Sequence, residues 1–156
     1  MRKEKIPQLW SLMGSVPENK ANIRKYEEIG THPQANFNAV SSALTFSRGI
    51  GIDRKIARLR YLRDRWAVPL QAESPRVKIL TPLTGTKSGA ICMFSVDGLD
   101  PVKLGDWLWT KYKIVNTPIV HPEFSGIRIT PNVYTTPQEI DAFTDAVKKA
   151  VRVGIA

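Results

Sequence analysis

Arg128 lies between Ile127 and Ile129 in the stretch GIRITPNVYTTPQEIDAF. The two isoleucines alternate with Arg128 and Thr130 at the two-residue period of a strand, which puts the arginine on the polar face. Gly126 lets the chain enter tightly, and Pro131 ends the ladder because it has no N–H to give. An arginine held this way suits a planar carboxylate, which it can grip through two parallel hydrogen bonds. By spacing alone, a surface ion pair is the commoner meaning of such a residue.

Gly30-Thr31, ahead of a helical stretch, is a second place where chemistry could occur. Backbone N–H groups and a hydroxyl can meet a phosphate there, although a simple turn and cap is the commoner use of Gly-Thr. The basic run from Arg54 to Arg65 reads as the solvated side of a helix, since neither aromatic interleaving nor a docking motif accompanies it. His32 and His121 are the two histidines, and no set of Cys or carboxylates stands at ligand spacing, so no metal site is expected. GTKSG, residues 85 to 89, is too short for a phosphate loop of the GxxxxGK[ST] type. Cys92, the lone cysteine, falls in the apolar run AICMFSV and reads as a buried small hydrophobe.

The elements that must carry these residues follow from pattern. Residues 1 to 20 read as extended, interrupted by Pro7 and Pro17, and 20 to 28 as a short helix or loop. Asn36 or Asn38 is expected to cap a helix that turns Val40, Leu44 and Phe46 inward and ends at Gly49 and Gly51. Asp53 is expected to cap the next, with Ile56, Leu59, Leu62 or Arg63, Trp66 and Leu70 facing the core and Pro69 kinking or ending it. Strands follow at 77–80 and 90–96. A helix capped by Asp100 runs from Pro101 to Tyr112, and a third strand spans 114–120. After the arginine strand, Thr136, Pro137 and Glu139 make a capping box with Pro at the first helical position, and Ile140, Phe143, Val147 and Val151 form the buried stripe. From residue 77 the order is β-β-α-β-β-α. The expected fold is α+β, a mainly antiparallel sheet with helices on one face, preceded by two helices.

The chain has 156 residues, a net charge of +9 and 42% hydrophobic residues, enough for one core. No apolar run reaches the ~18–20 residues of a membrane span, and no secretory signal is visible. A reducing, cytoplasmic setting is expected. The positive charge suits anionic partners, whether small phosphorylated molecules or nucleic acid.

GIRITPNVYTTPQEID resembles the C-terminal signature of class V (cysteine desulfurase-like) pyridoxal-phosphate enzymes. There a strand arginine is followed by an aromatic residue, a Tyr-x-Thr-type turn and an acidic helix start. EEIGTHP and GIGIDRKIARLRYLRDRW add to a likeness that runs from RKEKIPQLW to AVKKAV. The resemblance implies that Arg128 binds the substrate's α-carboxylate. It also implies that Thr31, with Gly30 beside it, reaches the cofactor phosphate of a neighbouring subunit across a dimer interface. His32, Asn36 and His121 would lie about the mouth of that site.

The isopenicillin-N-epimerase-like and aminotransferase-like branch is the best fit. Desulfurases carry a reactive Cys on the loop before the arginine strand, where this chain has VHPEFSG. The family's large domain, with the lysine that holds pyridoxal phosphate, has no counterpart in the sequence, and Lys3 and Lys5 do not replace it.

Met1 is thus expected to start downstream of the catalytic centre. Residues 1–35 would be a lead-in to a missing large domain, and 36–156 the C-terminal small domain. The expected function is that of a domain or fragment of an amino-acid-acting aminotransferase or epimerase, with the cofactor bound in the complete enzyme and not covalently to this chain. Whether the chain is by itself an enzyme stays open. A homo-oligomer or a separate large-domain chain is the expected partner, and neither a membrane nor nucleic acid is. The alternative is a non-enzymatic basic module for nucleic acid or another anionic partner, whose affinity would fall steeply with salt.

Overall fold

The computed structural model describes residues 3–8, 23–26, 33–84 and 88–155. Packing divides the chain into two units, Met1–Ser47 and Arg48–Ala156. In the first, the 3-10 segments Lys3–Gln8 and Ile23–Tyr26 are joined by a hydrogen bond from the Tyr26 hydroxyl to the Ile6 carbonyl, 3.4 Å. Helix α1, Gln34–Ile50, starts after Pro33, and its first turn is tied by the Asn36 N–H to the Pro33 carbonyl. Asn36 and Asn38 therefore lie inside the helix and do not cap it. Val40, Leu44 and Phe46 do not turn into a core either: they are 57%, 51% and 68% exposed, and α1 buries no residue.

The second unit is the α+β layer expected from the sequence. Helix α2 is Ile52–Glu73, followed by strands β1 (Val77–Ile79) and β2 (Cys92–Val96), helix α3 (Pro101–Tyr112), strands β3 (Thr117–Val120) and β4 (Ser125–Ile129), and helix α4 (Pro137–Val153). The sheet is antiparallel throughout, in the order β1-β2-β4-β3. Gly51, and not Asp53, is the cap position of α2, and its positive φ of 85° is one glycine adopts readily. Pro69 sits inside α2, which runs on to Glu73. The third strand is shorter than its apolar run because Lys113, left-handed at φ 58°, ends α3 and residues 113–116 form a connection.

Alternation along the strands sorts the two faces. Phe94 pairs with Ile127 and Cys92 with Ile129, and all four point to the helices. Trp66 of α2, Phe94 of β2 and Phe143 of α4 meet edge to face, with ring centroids 5.5 to 5.9 Å apart. This geometry matches the aromatic quadrupoles as well as burying area. Leu104 and Leu108 of α3 join the same core. Gly105 allows α3 to lie close on β3, since a Cβ there would stand 2.6 Å from Pro118 Cγ. The capping box of α4 forms as its sequence predicts: Thr136 Oγ1 accepts from the Glu139 N–H at 3.2 Å, and Glu139 Oε2 accepts from the Thr136 N–H at 2.7 Å. No helix among the described residues is long and apolar enough to cross a membrane.

Truncating one ring of the cluster leaves the other two beside a void. Phe143→Ala is expected to destabilise the chain by about 3–5 kcal/mol, read as a drop in the denaturant midpoint. A change below about 1 kcal/mol would mean that the three rings do not form a common core.

Candidate functional site

Arg128 sits on β4, an interior strand, and projects from the face opposite the helices. Its neighbours in the ladder set its surroundings: Met93 of β2 is directly across on one side and Thr117 of β3 on the other. Ile127 and Ile129, the residues either side of it in sequence, are buried in the core. Arg128 is exposed, and among the described residues it has no ion pair and no hydrogen bond. Gly126, two residues back on the same face, leaves room for the end of the buried Met93 side chain. A Cβ at this position would meet the Phe94 carbonyl oxygen and come within 3.1 Å of Met93 Cε. The arginine thus rises beside an apolar floor, with a hydroxyl on its other flank.

Strand β2 is held from behind by an arginine that the sequence pattern assigns to the solvated side of α2. Arg63 is only 1% exposed. Its guanidinium donates to the carbonyls of Leu83 (3.0 Å), Gly89 (3.0 Å) and Ser88 (3.4 Å), to Ser88 Oγ (2.6 Å), and to Asp64 Oδ1 (2.7 Å). Ser88 Oγ in turn donates to the Pro82 carbonyl, and Arg60 adds a bond to the Ser88 carbonyl at 3.3 Å. Both ends of the β1–β2 connection are therefore pinned to α2. Thr81 Oγ1 then accepts the Met93 N–H at 3.0 Å, which carries the restraint to the residue beside Arg128. The solvated-face expectation fails for Arg63 because the connection brings it a ring of carbonyls, five donors being what a guanidinium offers. Its neighbour Arg65 grips Asp141 through two bonds of 2.7 Å, and Arg58 donates to the Thr135 carbonyl at 3.0 Å.

The turn after β4 is closed by its own side chains. Asn132 Oδ1 accepts from the Val133 N–H at 2.7 Å, and Thr135 Oγ1 from the Asn132 N–H at 3.0 Å. Beside it a cleft of about 730 Å³ opens between the end of α3 and the start of α4, lined by Tyr112, Lys113, Tyr134 and Glu139 over Ile129 and Phe143.

The other expected site residues divide. His121 is exposed, stacks on Phe124 at 4.8 Å between ring centroids, and accepts the Glu123 N–H on Nδ1 at 3.2 Å. Those contacts are local to the β3–β4 turn. Asn36 is exposed in the first turn of α1. Gly30, Thr31 and His32 lie outside the described residues. Cys92 is buried in the core, and burial pushes its thiol up, away from the thiolate a nucleophile needs.

An antiparallel sheet covered on one side by three helices, with a solitary arginine on the other, is the arrangement against which known proteins can be compared. By fold, the chain superposes on the apo structure of cysteine desulfurase from Thermococcus onnurineus NA1 with a TM-score of 0.72, at 19% identity, over 82% of this chain and 34% of that one. By sequence, it is 31% identical over 135 residues to isopenicillin N epimerase of Streptomyces clavuligerus, covering 86% of this chain and 33% of that protein. It is 28% identical over 132 residues to isopenicillin N epimerase of Amycolatopsis lactamdurans, covering 81% and 32%. A probable cysteine desulfurase of Streptomyces coelicolor is 27% identical over 129 residues, covering 78% and 31%. No protein-family profile matches the sequence. These matches, each over part of the relative, support a class V aminotransferase-like family of pyridoxal-phosphate enzymes. The chain spans about a third of the length of the curated relatives it matches.

Two outcomes test the scaffold behind the arginine. Arg63→Ala strips the β1–β2 connection of its clamp, and groups left unsatisfied cost about 1–3 kcal/mol. The denaturant midpoint should fall accordingly while the far-ultraviolet circular dichroism stays that of the parent; an unchanged midpoint would show the clamp to be idle.

Acid should also weaken the unit. The Thr136 N–H and hydroxyl hold the Glu139 carboxyl below its ordinary value, Arg65 does the same for Asp141, and Arg152 for Glu73. Each carboxylate favours the folded state above its unfolded value, about 4, and that contribution is lost as pH falls through the lower folded value. Tm should therefore be flat near neutrality and drop below about pH 4. The variant E73Q/E139Q/D141N should start lower and fall less steeply, and parallel curves would refute the linkage.

Proposed function

We propose that the chain is the C-terminal small domain of a class V pyridoxal-phosphate enzyme of the epimerase and aminotransferase branch, and that Arg128 holds the α-carboxylate of its amino-acid substrate. One observation carries the reading. In a unit where Arg58, Arg63 and Arg65 are bonded to the fold, Arg128 stands on an interior strand of the sheet with its donors unused among the described residues. A guanidinium in that state is open to a bidentate carboxylate. The likeness to isopenicillin N epimerases supplies the class of reaction, chemistry at the α-carbon of an amino acid, and the VHPEFSG loop argues against a desulfurase.

The described residues fit a substrate contact better than a seat for the cofactor. The cleft beside α4 offers a carboxylate, Glu139, and its lysine, Lys113, lies with Nζ 5.7 Å over the Trp109 ring. That donor set does not suit a phosphate. In this reading the phosphate contact belongs to Gly30 and Thr31, and the cofactor's covalent lysine to the two thirds of the family's length that this chain does not match. Pyridoxal phosphate would supply the electron sink that stabilises negative charge at the substrate α-carbon. Arg128 would fix the direction in which that carbon faces the cofactor. The exposed Val40, Leu44 and Phe46 on α1 favour a chain that is accompanied by further protein, either a large domain or a second subunit.

The test is made in the complete enzyme. Arg128→Ala should lower kcat/KM for the amino acid about tenfold or more, since hydrogen bonds to charged groups contribute roughly 1.5–3 kcal/mol each. Arg128→Lys should recover only part of it, because the charge returns without the fork. The defect should vanish for a substrate whose carboxylate is an amide. Full activity in a folded Arg128→Ala protein would end the assignment. A basic binding module for nucleic acid would instead show tight, steeply salt-dependent binding that Arg128→Ala leaves intact.

A further inference from the structure

Arg128 is not alone on the open face of the sheet. Thr117 of β3 is its direct cross-strand partner, exposed like it, and its hydroxyl has no hydrogen bond among the described residues. Residues opposed in an antiparallel ladder have Cβ atoms about 4.5–5.5 Å apart, so the hydroxyl and the base of the arginine side chain stand next to one another. On the other flank the partner is Met93, which has no donor. The same face also carries Gly126 and Ile119 and the hydroxyl residues Ser95 and Thr130, none of them acidic, and of the hydroxyls only that of Thr117 stands directly across the ladder from Arg128.

Thr117 is also fixed in place from both sides. Asn116 Nδ2 donates to the Gly105 carbonyl of α3 at 3.1 Å and to the Ile114 carbonyl at 3.0 Å. Pro118, on the helix face, packs into the space left by the missing side chain of Gly105. A residue held between two such anchors presents its hydroxyl at little further cost in chain entropy.

We propose that Thr117 is a second ligand of the carboxylate that Arg128 binds, its hydroxyl donating to the oxygen on the β3 side. The inference rests on the carboxylate reading of Arg128 and narrows the substrate. The site takes a free carboxylate, with an apolar group tolerated on the Met93 side and a hydrogen-bond acceptor required on the Thr117 side.

The chain itself can be tested with acetate as probe, titrated at constant ionic strength against chloride and followed by nuclear magnetic resonance. The Arg128 Nε–H and Thr117 amide signals should move along one saturable curve. Thr117→Val should weaken binding about tenfold, the value of one hydrogen bond to a charged group, while Thr117→Ser restores it. In the complete enzyme Thr117→Val should raise KM with little change in kcat, as expected for contact made equally in ground and transition states. If Arg128→Ala abolishes the acetate response but Thr117→Val binds like the parent, the Thr117 assignment is wrong and the Arg128 reading stands. If neither signal saturates, or if Arg128→Ala leaves the response intact, both are wrong.

Discussion

Three rings from three elements set the terms for the second unit. Trp66, Phe94 and Phe143 can share one core only if α2 and α4 lie on the same side of β2. Once Phe94 points to that side, strand alternation leaves no freedom to its neighbours. Cys92 and Val96 follow it inward, and Met93 and Ser95 must face out. The antiparallel register passes the same choice to β4, where Ile127 and Ile129 go in and Arg128 goes out. A slip of one residue between β2 and β4 would bury a guanidinium among aromatic rings without a partner, at a cost of several kcal/mol. The hydrophobic cluster therefore decides where the arginine points, and Arg128 has no part in building that cluster.

Most other arginines of the unit are tied to the fold, while Arg48 and Arg54, both on helices, share with Arg128 the absence of a hydrogen bond or ion pair among the described residues. Arg58, Arg60 and Arg63 direct their donors to backbone carbonyls, Arg65 to Asp141, and Arg152 to Glu73. Part of the positive charge that the sequence would offer to an anionic partner is thus occupied in holding connections and helices together. Exposed pairs such as Arg65–Asp141 contribute little each. The Arg63 clamp differs because it is buried and satisfies carbonyls that no water replaces as well. Arg128 has no such duty: it lies on an interior strand and makes no hydrogen bond or ion pair among the described residues.

The alternation around Arg128, the capping box at Thr136, the stripe on α4 and the order β-β-α-β-β-α were all legible without coordinates. Each depends on residues within one or two turns of each other, where period and capping chemistry act locally. The likeness to the class V aminotransferase-like family was legible too, because a strand arginine, an aromatic, a Tyr-x-Thr turn and a helix cap at fixed spacing are a local signature. The cap of α2 was misread because Asp53 and Gly51 are both good boundary residues two positions apart. The inward face of α1 was misread because an apolar stripe says that something covers it, and does not say that the cover lies in the same unit. What the tertiary structure alone decided is everything that depends on which strands lie side by side: the burial of Arg63 under a connection twenty residues on, and the placing of Met93 and Thr117 on either flank of Arg128. Those partners are distant in sequence, and the register that joins them is set by the packing of the whole core, which no local pattern records.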